Sequence, residues 1–311
     1  MKYVFIINPV AGKGGGQEAL QREIQAFFAP GEYEIHRTTG PGEATEFVSR
    51  YPAGEACFVA CGGDGTLNEV VSGLVGREHP LFAVMPLGSG NDFARMFGEL
   101  PAFLSLPALR EGRAHPIDLI DCGGRYAVNL CNLGFDADVV RNALPIKRVP
   151  FVSGPMAYIL SVVRTLFGKI ARPLAVTLDG EEKWERDTLL CVMANGQYCG
   201  GGFWCSPKAR IGDGKLDFVG VSKVSRLTFA RLVTAYRAGR HLMEPRFASI
   251  VTYRRAEEIH VECGEEFTVC VDGEVLRTRS FTARVLPGAL SLLAPKGVSL
   301  EPLGERPGAV V

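Results

Sequence analysis

The sequence lacks the signals that direct a chain through or into a membrane. Residues 1–7 carry one lysine and a short apolar run, without the length or cleavage pattern of a signal peptide. The longest apolar stretch, residues 151–167, is interrupted by Pro155 and Arg164, so it is too short and too charged for a membrane span. We therefore expect a cytoplasmic protein with no transmembrane segment.

Two further absences concern charge and paired cysteines. The 34 basic and 34 acidic residues give a formal net charge of +0, so nothing favours nucleic acid as a partner. No Cys-x-x-Cys pair occurs among the nine cysteines, and most of them lie in apolar, strand-like runs. This pattern favours buried free thiols over disulfides or a zinc site. The length of 311 residues suggests two domains.

The first hundred residues alternate between strand and helix signals. Strands are predicted at 3–7, 32–37, 57–61 and 81–85, and helices at 17–28, 43–50 and 66–74. Such alternation with short loops predicts a doubly wound, parallel α/β sheet with both faces covered. Ligands of these sheets bind beyond the carboxyl ends of the strands. Residues placed just past strand ends should therefore gather along one edge, namely Asn8, Thr38, Asp64 and Ser89.

The pattern changes near residue 115. Residues 115–134 have short β-like runs, and helical segments are predicted at 155–167 and 224–240. Short strands separated by Asp-Gly turns are predicted at 174–178, 188–194, 216–221, 259–263, 267–271, 281–286 and 290–294. We predict a nucleotide-binding α/β domain over 1–120 and an antiparallel β-rich domain over 121–296. Residues 297–311 are expected to pack loosely, back on the first domain.

The run Gly62-Gly63-Asp64-Gly65-Thr66 joins an apolar strand to a helix predicted to begin at Thr66. Glycines let backbone N–H groups approach an anion at the positive end of that helix. A carboxylate such as Asp64 is tolerable beside phosphates only with a metal or a transferable proton between them. The combination indicates nucleotide chemistry.

Two neighbouring loops have the same strand–loop–helix setting. In Pro86–Arg95, Ser89 can donate to a phosphate, and Asn91 or Asp92 can cap the helix. By itself this segment is equally well an ordinary strand-to-helix loop. The third loop, residues 8–16, matches neither the P-loop spacing nor the dinucleotide Gly-x-Gly-x-x-Gly pattern.

These motifs closely resemble the bacterial diacylglycerol/lipid kinase family, which is related to diacylglycerol and sphingosine kinases and more distantly to NAD kinases and phosphofructokinases. The resemblance runs through nearly the whole chain in the family's order. It is carried by the segments 8–12, 62–69, 86–94, 132–137, 200–202, 213–217 and 272–274.

The resemblance implies a magnesium-dependent enzyme of two lobes, an α/β lobe and a β-sandwich lobe with the active site in the cleft between them. It implies that Asp64, Asp92 and Asp118 organise catalytic Mg²⁺ through water, and that Glu274 accepts the proton. A structural magnesium site is implied at the Asp213 side chain and the carbonyls of Arg210 and Lys215. The residues implied for ATP binding are Asn8, Gly12, Thr38, Gly63, Asp64, Gly65, Thr66, Leu67, Asn68, Glu69 and Ser89.

The residues alone leave several of these roles open. Asp272-Gly273-Glu274 also fits a plain hairpin turn, and Asp64 competes with Glu274 as the base. Asp118 lies in an apolar run, where an unpartnered carboxylate would be costly. A metal, a water, a basic side chain or a nearby backbone N–H group could each be its partner. The loop around Asp213 is equally an ordinary turn.

The leading hypothesis is a kinase that transfers the γ-phosphoryl of ATP to a lipid hydroxyl. The rivals are a kinase of a soluble substrate, NAD or a sugar phosphate, and a non-catalytic nucleotide or lipid sensor. The acceptor lipid and the oligomeric state are unreadable from the sequence. A basic stretch around the apolar helix at 155–167 is either a solvated face or a peripheral approach to the inner membrane face and its lipid substrate. It consists of Arg141, Lys147, Arg148, Arg164, Lys169 and Arg172.

Overall fold

The computed structural model describes residues 1–12, 16–146 and 154–301. The first lobe begins with four strands and three helices in alternation. They are β1 (Lys2–Ile7), α1 (Gly16–Phe27), β2 (Tyr33–Arg37), α2 (Glu43–Arg50), β3 (Ala56–Gly62), α3 (Asp64–Leu74) and β4 (Leu81–Pro86). All four strands are parallel, in the order β2-β1-β3-β4.

Both faces of this parallel sheet are buried. On one face Val4 and Ile6 of β1 share a core with α2 and α3, and on the other Phe5 and Ile7 pack with Leu20 and Ile24 of α1. Strands buried on both sides need apolar residues at every position, which explains the continuous apolar runs in the sequence. The α3 helix begins at Asp64, two residues before the predicted start.

Three short helices, three strands and two longer helices follow. They are α4 (Asp92–Arg95), α5 (Leu100–Phe103), α6 (Leu106–Arg110), β5 (Arg113–Asp121), β6 (Tyr126–Ala127), β7 (Leu130–Gly134), α7 (Phe135–Ile146) and α8 (Gly154–Leu166). The second lobe is completed by β8 (Arg172–Leu178), β9 (Glu182–Ala194), β10 (Leu216–Ser222), α9 (Arg226–Arg237), β11 (Val251–Ala256), β12 (Glu258–Val271) and β13 (Glu274–Ala294). Two short 3₁₀ turns, Arg240–Leu242 and Pro245–Phe247, follow α9.

The second lobe is antiparallel, as predicted. Its strands follow the order β11-β10-β9-β7-β12-β13, while β8 pairs with both β9 and β12. The enclosed core contains Trp184, Phe218 and Phe267. On the other side of β7, β9 and β10, the helices α7 and α9 cover a separate core that includes Phe135 and Phe229.

The long strand β13 ties the two lobes together. The sequence predicted separate strands at 281–286 and 290–294, but both lie within one strand whose register shifts between Leu286 and Leu290. Ser291 and Leu292 pair with Leu81 and Phe82 of β4 in parallel, so this part of β13 extends the first lobe's sheet. The predicted strands 259–263 and 267–271 likewise merge into β12, with an irregularity between Glu262 and Phe267.

The segment after β13 returns to the first lobe. The backbone N–H of Lys296 donates to the carbonyl of Ala108 (2.9 Å), and Val298 and Leu300 pack against the first lobe's core. The rest of the predicted tail, 302–311, and the basic residues Lys147 and Arg148 lie outside the described residues. Within the described ranges, no helix combines the length and hydropathy that a membrane crossing requires.

Candidate active site

Three glycine-containing loops meet at the carboxyl edge of the parallel sheet. A Cβ added to Gly88, after β4, would lie 2.4 Å from the Cα of Gly63, after β3. A Cβ on Gly12, after β1, would lie 2.5 Å from the carbonyl oxygen of Leu87. Only glycine lets backbone segments come this close. The glycines therefore allow the loops after β1, β3 and β4 to meet where a nucleotide would bind. The Asn8 side chain joins them by donating to Thr66 Oγ1 (3.1 Å).

Two predicted acids face each other around Gly90. Asp64 Oδ1 accepts the N–H of Phe93 at 3.2 Å, which joins the start of α3 to the start of α4. A Cβ built on Gly90 would lie 3.0 Å from Asp64 Oδ2 and 3.7 Å from Asp92 Oδ2. A side chain at residue 90 would therefore crowd both carboxylates, which glycine avoids.

Asp92 is the more buried acid, with 7% of its surface exposed. Burial raises its pKa to about 6, and the charge of Asp64 raises it further against the N–H of Gly201. Its Oδ1 is buried without a hydrogen-bond partner among the described residues, and Arg95 Nε lies 3.9 Å away. A buried carboxylate oxygen without a hydrogen bond is costly, and it is a suitable ligand for Mg²⁺, which prefers oxygen ligands.

The second lobe reaches Asp92 through the glycines 200–202. All three have positive φ, between +59° and +118°, a conformation that other residues rarely adopt. The N–H of Gly201 donates to Asp92 Oδ2 at 2.8 Å. The glycine triplet was part of the family resemblance, but sequence reasoning gave it no role. Its backbone brings the second lobe to the acid pair.

Asp272 forms a second junction between the lobes, and sequence reasoning missed it. Its carboxylate accepts the N–H groups of Val128 (2.7 Å) and Leu130 (2.8 Å), and Asn68 Nδ2 donates to it from α3 at 3.2 Å. Burial raises its pKa to about 6 despite these donors, which favour the charged form. The Asp-Gly turn was visible in the sequence, but its distant partners were not.

Glu274, the predicted base, opens β13 directly after this turn. Asp272 and Gly273 both have positive φ, +44° and +98°, and Val271 pairs with Glu274 across them. The segment is thus a two-residue hairpin, and the side chain of Glu274 is exposed. Asn68 and Asp64 lie four residues apart on one face of α3, so the hairpin that contacts Asn68 lies beside the acid pair. The role of Glu274 remains a prediction.

Asp118 lies in a different setting from the other two acids. Its Oδ2 accepts the N–H of Gly214 (2.7 Å) and its Oδ1 that of Gly288 (2.9 Å), so it holds the loop before β10 against the bend in β13. Burial raises its pKa against these two N–H groups. The structure shows no contact of Asp118 with Asp64 or Asp92, and its share in a catalytic magnesium site remains a prediction.

The predicted structural magnesium loop is held by protein contacts. Asp213 Oδ2 pairs with Arg255, and its Oδ1 accepts the N–H of Lys215 at 3.2 Å. The ammonium group of Lys215 pairs with Glu257 at 2.8 Å. In this structure the cationic partner of Asp213 is therefore Arg255. The role implied for Arg210, Asp213 and Lys215 remains a prediction.

Of the remaining residues predicted to bind ATP, some are buried and others are exposed. Leu67 is buried in the core and Thr38 is almost fully buried. Glu69 accepts the N–H of Ala44 at 3.2 Å and so joins α3 to α2. Gly65, in the first turn of α3, and Ser89, in the loop after β4, are exposed.

Comparison with known proteins identifies the family. A model of the diacylglycerol kinase catalytic domain matches residues 2–122, and a model of the YegS C-terminal NAD kinase beta sandwich-like domain matches 129–294. A probable YegS-like lipid kinase of Pseudomonas aeruginosa PAO1 is 32% identical over 93% of this chain and 94% of that protein. The chain belongs to the diacylglycerol/lipid kinase family.

Membership confirms the predicted family and makes the chain a kinase. A diacylglycerol kinase of Bacillus subtilis 168 is 29% identical over 87% of this chain and 88% of that protein. The crystal structure of a putative diacylglycerol kinase from Bacillus anthracis Sterne has 28% identity and a TM-score of 0.74, covering 96% of both chains. These matches confirm the predicted two-lobed fold with a C-terminal β domain.

Proposed function

We propose that this kinase transfers the γ-phosphoryl of ATP to the hydroxyl of a lipid in a magnesium-dependent reaction. The observation that carries the proposal is the pair of carboxylates, Asp64 and Asp92, which flank Gly90 where three glycine loops meet. Phosphoryl transfer depends mainly on positioning and on stabilising charge. The glycine loops offer backbone N–H groups for phosphates, and the two acids offer oxygens for a cation.

The acids of this site would hold the magnesium ion, and the lobes would hold the two substrates. Bound Mg²⁺ would offset the negative charge of the phosphates. Asp64 and Asp92 carry the fitting oxygens, of which Asp92 Oδ1 has no partner among the described residues. Glu274, on the hairpin beside α3, would take the proton of the lipid hydroxyl, which is a weak nucleophile without a base. Asp64 is the alternative base.

The lipid side of the proposal is supported by an exposed apolar stripe on α8. Met156, Leu160 and Val163 lie on one helical face and are 51%, 44% and 45% exposed, and Phe167, 76% exposed, continues the stripe. The guanidinium of Arg226 lies over the Phe167 ring at 5.7 Å. Apolar side chains rimmed by basic ones are typical of peripheral contact with an anionic membrane surface, where a lipid acceptor resides.

An acceptor panel tests the proposal. ATP consumption is measured with dioleoylglycerol in micelles, with NAD, and without an acceptor, each with and without Mg²⁺. Turnover only with the lipid and the metal is expected, and Asp64→Asn should abolish it while leaving the unfolding curve unchanged. Turnover only with NAD would contradict the lipid assignment. Nucleotide binding without turnover on any acceptor would favour a sensor.

Flotation with phosphatidylglycerol vesicles tests the membrane contact. Phe167→Glu should weaken binding because it places a charge on the exposed stripe. The matched control is Leu104→Glu, since Leu104 is 46% exposed but lies in the first lobe, away from α8. Equal binding of the two variants would mean that the stripe does not meet the membrane.

A further inference from the structure

Asp136 is an acid of the second lobe that the proposed chemistry does not use. It is the second residue of α7, which follows β7 after a tight turn at Gly134, where φ is +96°. Its Oδ2 accepts Asn132 Nδ2 at 2.8 Å, and its Oδ1 accepts the N–H of Ala137 at 3.0 Å. The residues on either side, Phe135 and Ala137, are buried, whereas Asp136 is partly exposed.

Two neighbouring side chains carry buried polar atoms without partners among the described residues. Asn132 and Tyr236 are each 6% exposed, and neither Asn132 Oδ1 nor Tyr236 Oη makes a hydrogen bond there. Flipping the Asn132 amide would not help, because it would set an oxygen against the Asp136 carboxylate. Unpaired buried polar groups are costly, which points to a ligand that satisfies them.

The charge of Asp136 also lacks compensation. Asp138, two residues further along α7, is paired with Arg172 at 2.8 Å and Arg141 at 3.3 Å. Among the described residues Asp136 has no such cation, and burial raises its pKa to about 7. A site of this kind accepts hydrogen bonds from hydroxyl or ammonium groups and repels anions.

Asp136 lies on the side of the second lobe that meets the acid pair. Asn132 is directly opposite Cys270 in the β7–β12 ladder. Burial raises the pKa of the Cys270 thiol to about 12, and the charges of Asp136, Asp272 and Glu274 all add to that rise. Cys270 in turn pairs with Val275, the residue after Glu274, in the β12–β13 ladder, so it lies between Asn132 and the strand of the proposed base.

On the basis of the proposed lipid kinase function, we propose that Asp136 and Asn132 bind the head group of the acceptor lipid. Asp136 accepts a hydrogen bond from a hydroxyl or ammonium group of the head, and Asn132 Oδ1 accepts a second. The favoured acceptors are then uncharged or cationic lipid alcohols with a donor besides the hydroxyl that is phosphorylated. Lipids with an acidic head are excluded.

The test compares acceptors and variants in steady-state kinetics. Monooleoylglycerol supplies an uncharged head with an extra hydroxyl, sphingosine a cationic one, lysophosphatidate an acidic one, and dioleoylglycerol no extra donor. Asp136→Asn and Asp136→Ala should raise the KM for monooleoylglycerol or sphingosine about 10- to 100-fold, the loss expected for a hydrogen bond to a charged group, with a smaller change in kcat. The KM for dioleoylglycerol should change less, and wild type should reject lysophosphatidate. Asp187→Asn, the same change at an exposed site, is the control.

Binding of 1-monohexanoylglycerol by calorimetry without ATP separates this inference from the proposed function. Binding that Asp136→Ala abolishes, in a protein that turns over no lipid, would support the head-group site and contradict the kinase reaction on lipids. Lipid turnover with an unchanged KM in both Asp136 variants would overturn the head-group site alone. Efficient phosphorylation of lysophosphatidate by wild type would overturn it as well. Melting temperatures no lower than that of wild type confirm that the variants fold.

Discussion

Replacing Asp92 by Asn should stabilise the folded protein in a way that depends on pH. Burial raises the pKa of Asp92 to about 6 from its ordinary value of 3.8, with the charge of Asp64 adding and the N–H of Gly201 opposing. At 1.36 kcal/mol for each pH unit, this difference corresponds to about 3 kcal/mol. The side chain is 10% exposed, so solvent screens this energy little.

The sign follows from which state binds the proton more tightly. The folded protein holds the proton of Asp92 up to a pH of about 6, whereas the unfolded chain releases it near 3.8, so wild-type stability falls as pH rises between these values. Asparagine does not ionise. Relative to wild type, Asp92→Asn should therefore gain about 1.5 kcal/mol at pH 5 and about 3 kcal/mol at pH 8. These are upper values, because the new amide hydrogens face Arg95.

The assay is urea unfolding of both proteins between pH 5 and pH 8, without ATP or metal, followed by tryptophan fluorescence. Asp187→Asn serves as the control, since it is the same substitution at an exposed acid. Adding MgCl₂ should stabilise wild type more than the variant, because the ion offsets the carboxylate charge. If the free energy of unfolding of Asp92→Asn is equal to or below that of wild type at every pH, the charged form of Asp92 does not destabilise the fold and the reasoning is refuted.

Three further substitutions test the site. Gly90→Ala places a methyl group 3.0 Å from Asp64 Oδ2, and we expect kcat to fall roughly 10- to 100-fold with an unchanged melting temperature; full activity would mean that this gap is not used. Glu274→Gln should lower kcat while leaving the KM for ATP unchanged, and an unaltered kcat would return the base role to Asp64. Asp272→Asn turns an amide donor toward backbone N–H groups, so urea unfolding should show a loss of roughly 2–3 kcal/mol; wild-type stability would contradict its role as a junction.

Much of the first lobe could be predicted because its signals are local. The α2 helix lies at the predicted residues, 43–50, and the first four strands differ from prediction by one residue or less at each end. The α7 helix was missed because it starts directly at Phe135, after a strand of five buried residues, with no polar break between them. The strand β11 was also missed, since half of its residues are polar or charged.

The site was predictable in parts. Glycines that follow a buried strand mark a loop whose backbone lies very close to another backbone or to a ligand. Asp64 was found from that pattern alone. The setting of Asp118 was not readable. Its partners Gly214 and Gly288 are 96 and 170 residues away, so nothing near it in the chain shows that two backbone N–H groups satisfy its carboxylate. The same distance in sequence hid the partners of Asp272.

By itself the sequence determined the alternation of strand and helix, the glycine turns and the acids they carry, because these follow from the side chains of adjacent residues. Only the tertiary structure decided where the last strand goes. The apolar run 290–294 fits either lobe by composition, yet it pairs with β4 and is buried from both sides. That choice depends on hydrogen bonds between residues some 200 positions apart, which the folded chain alone brings together.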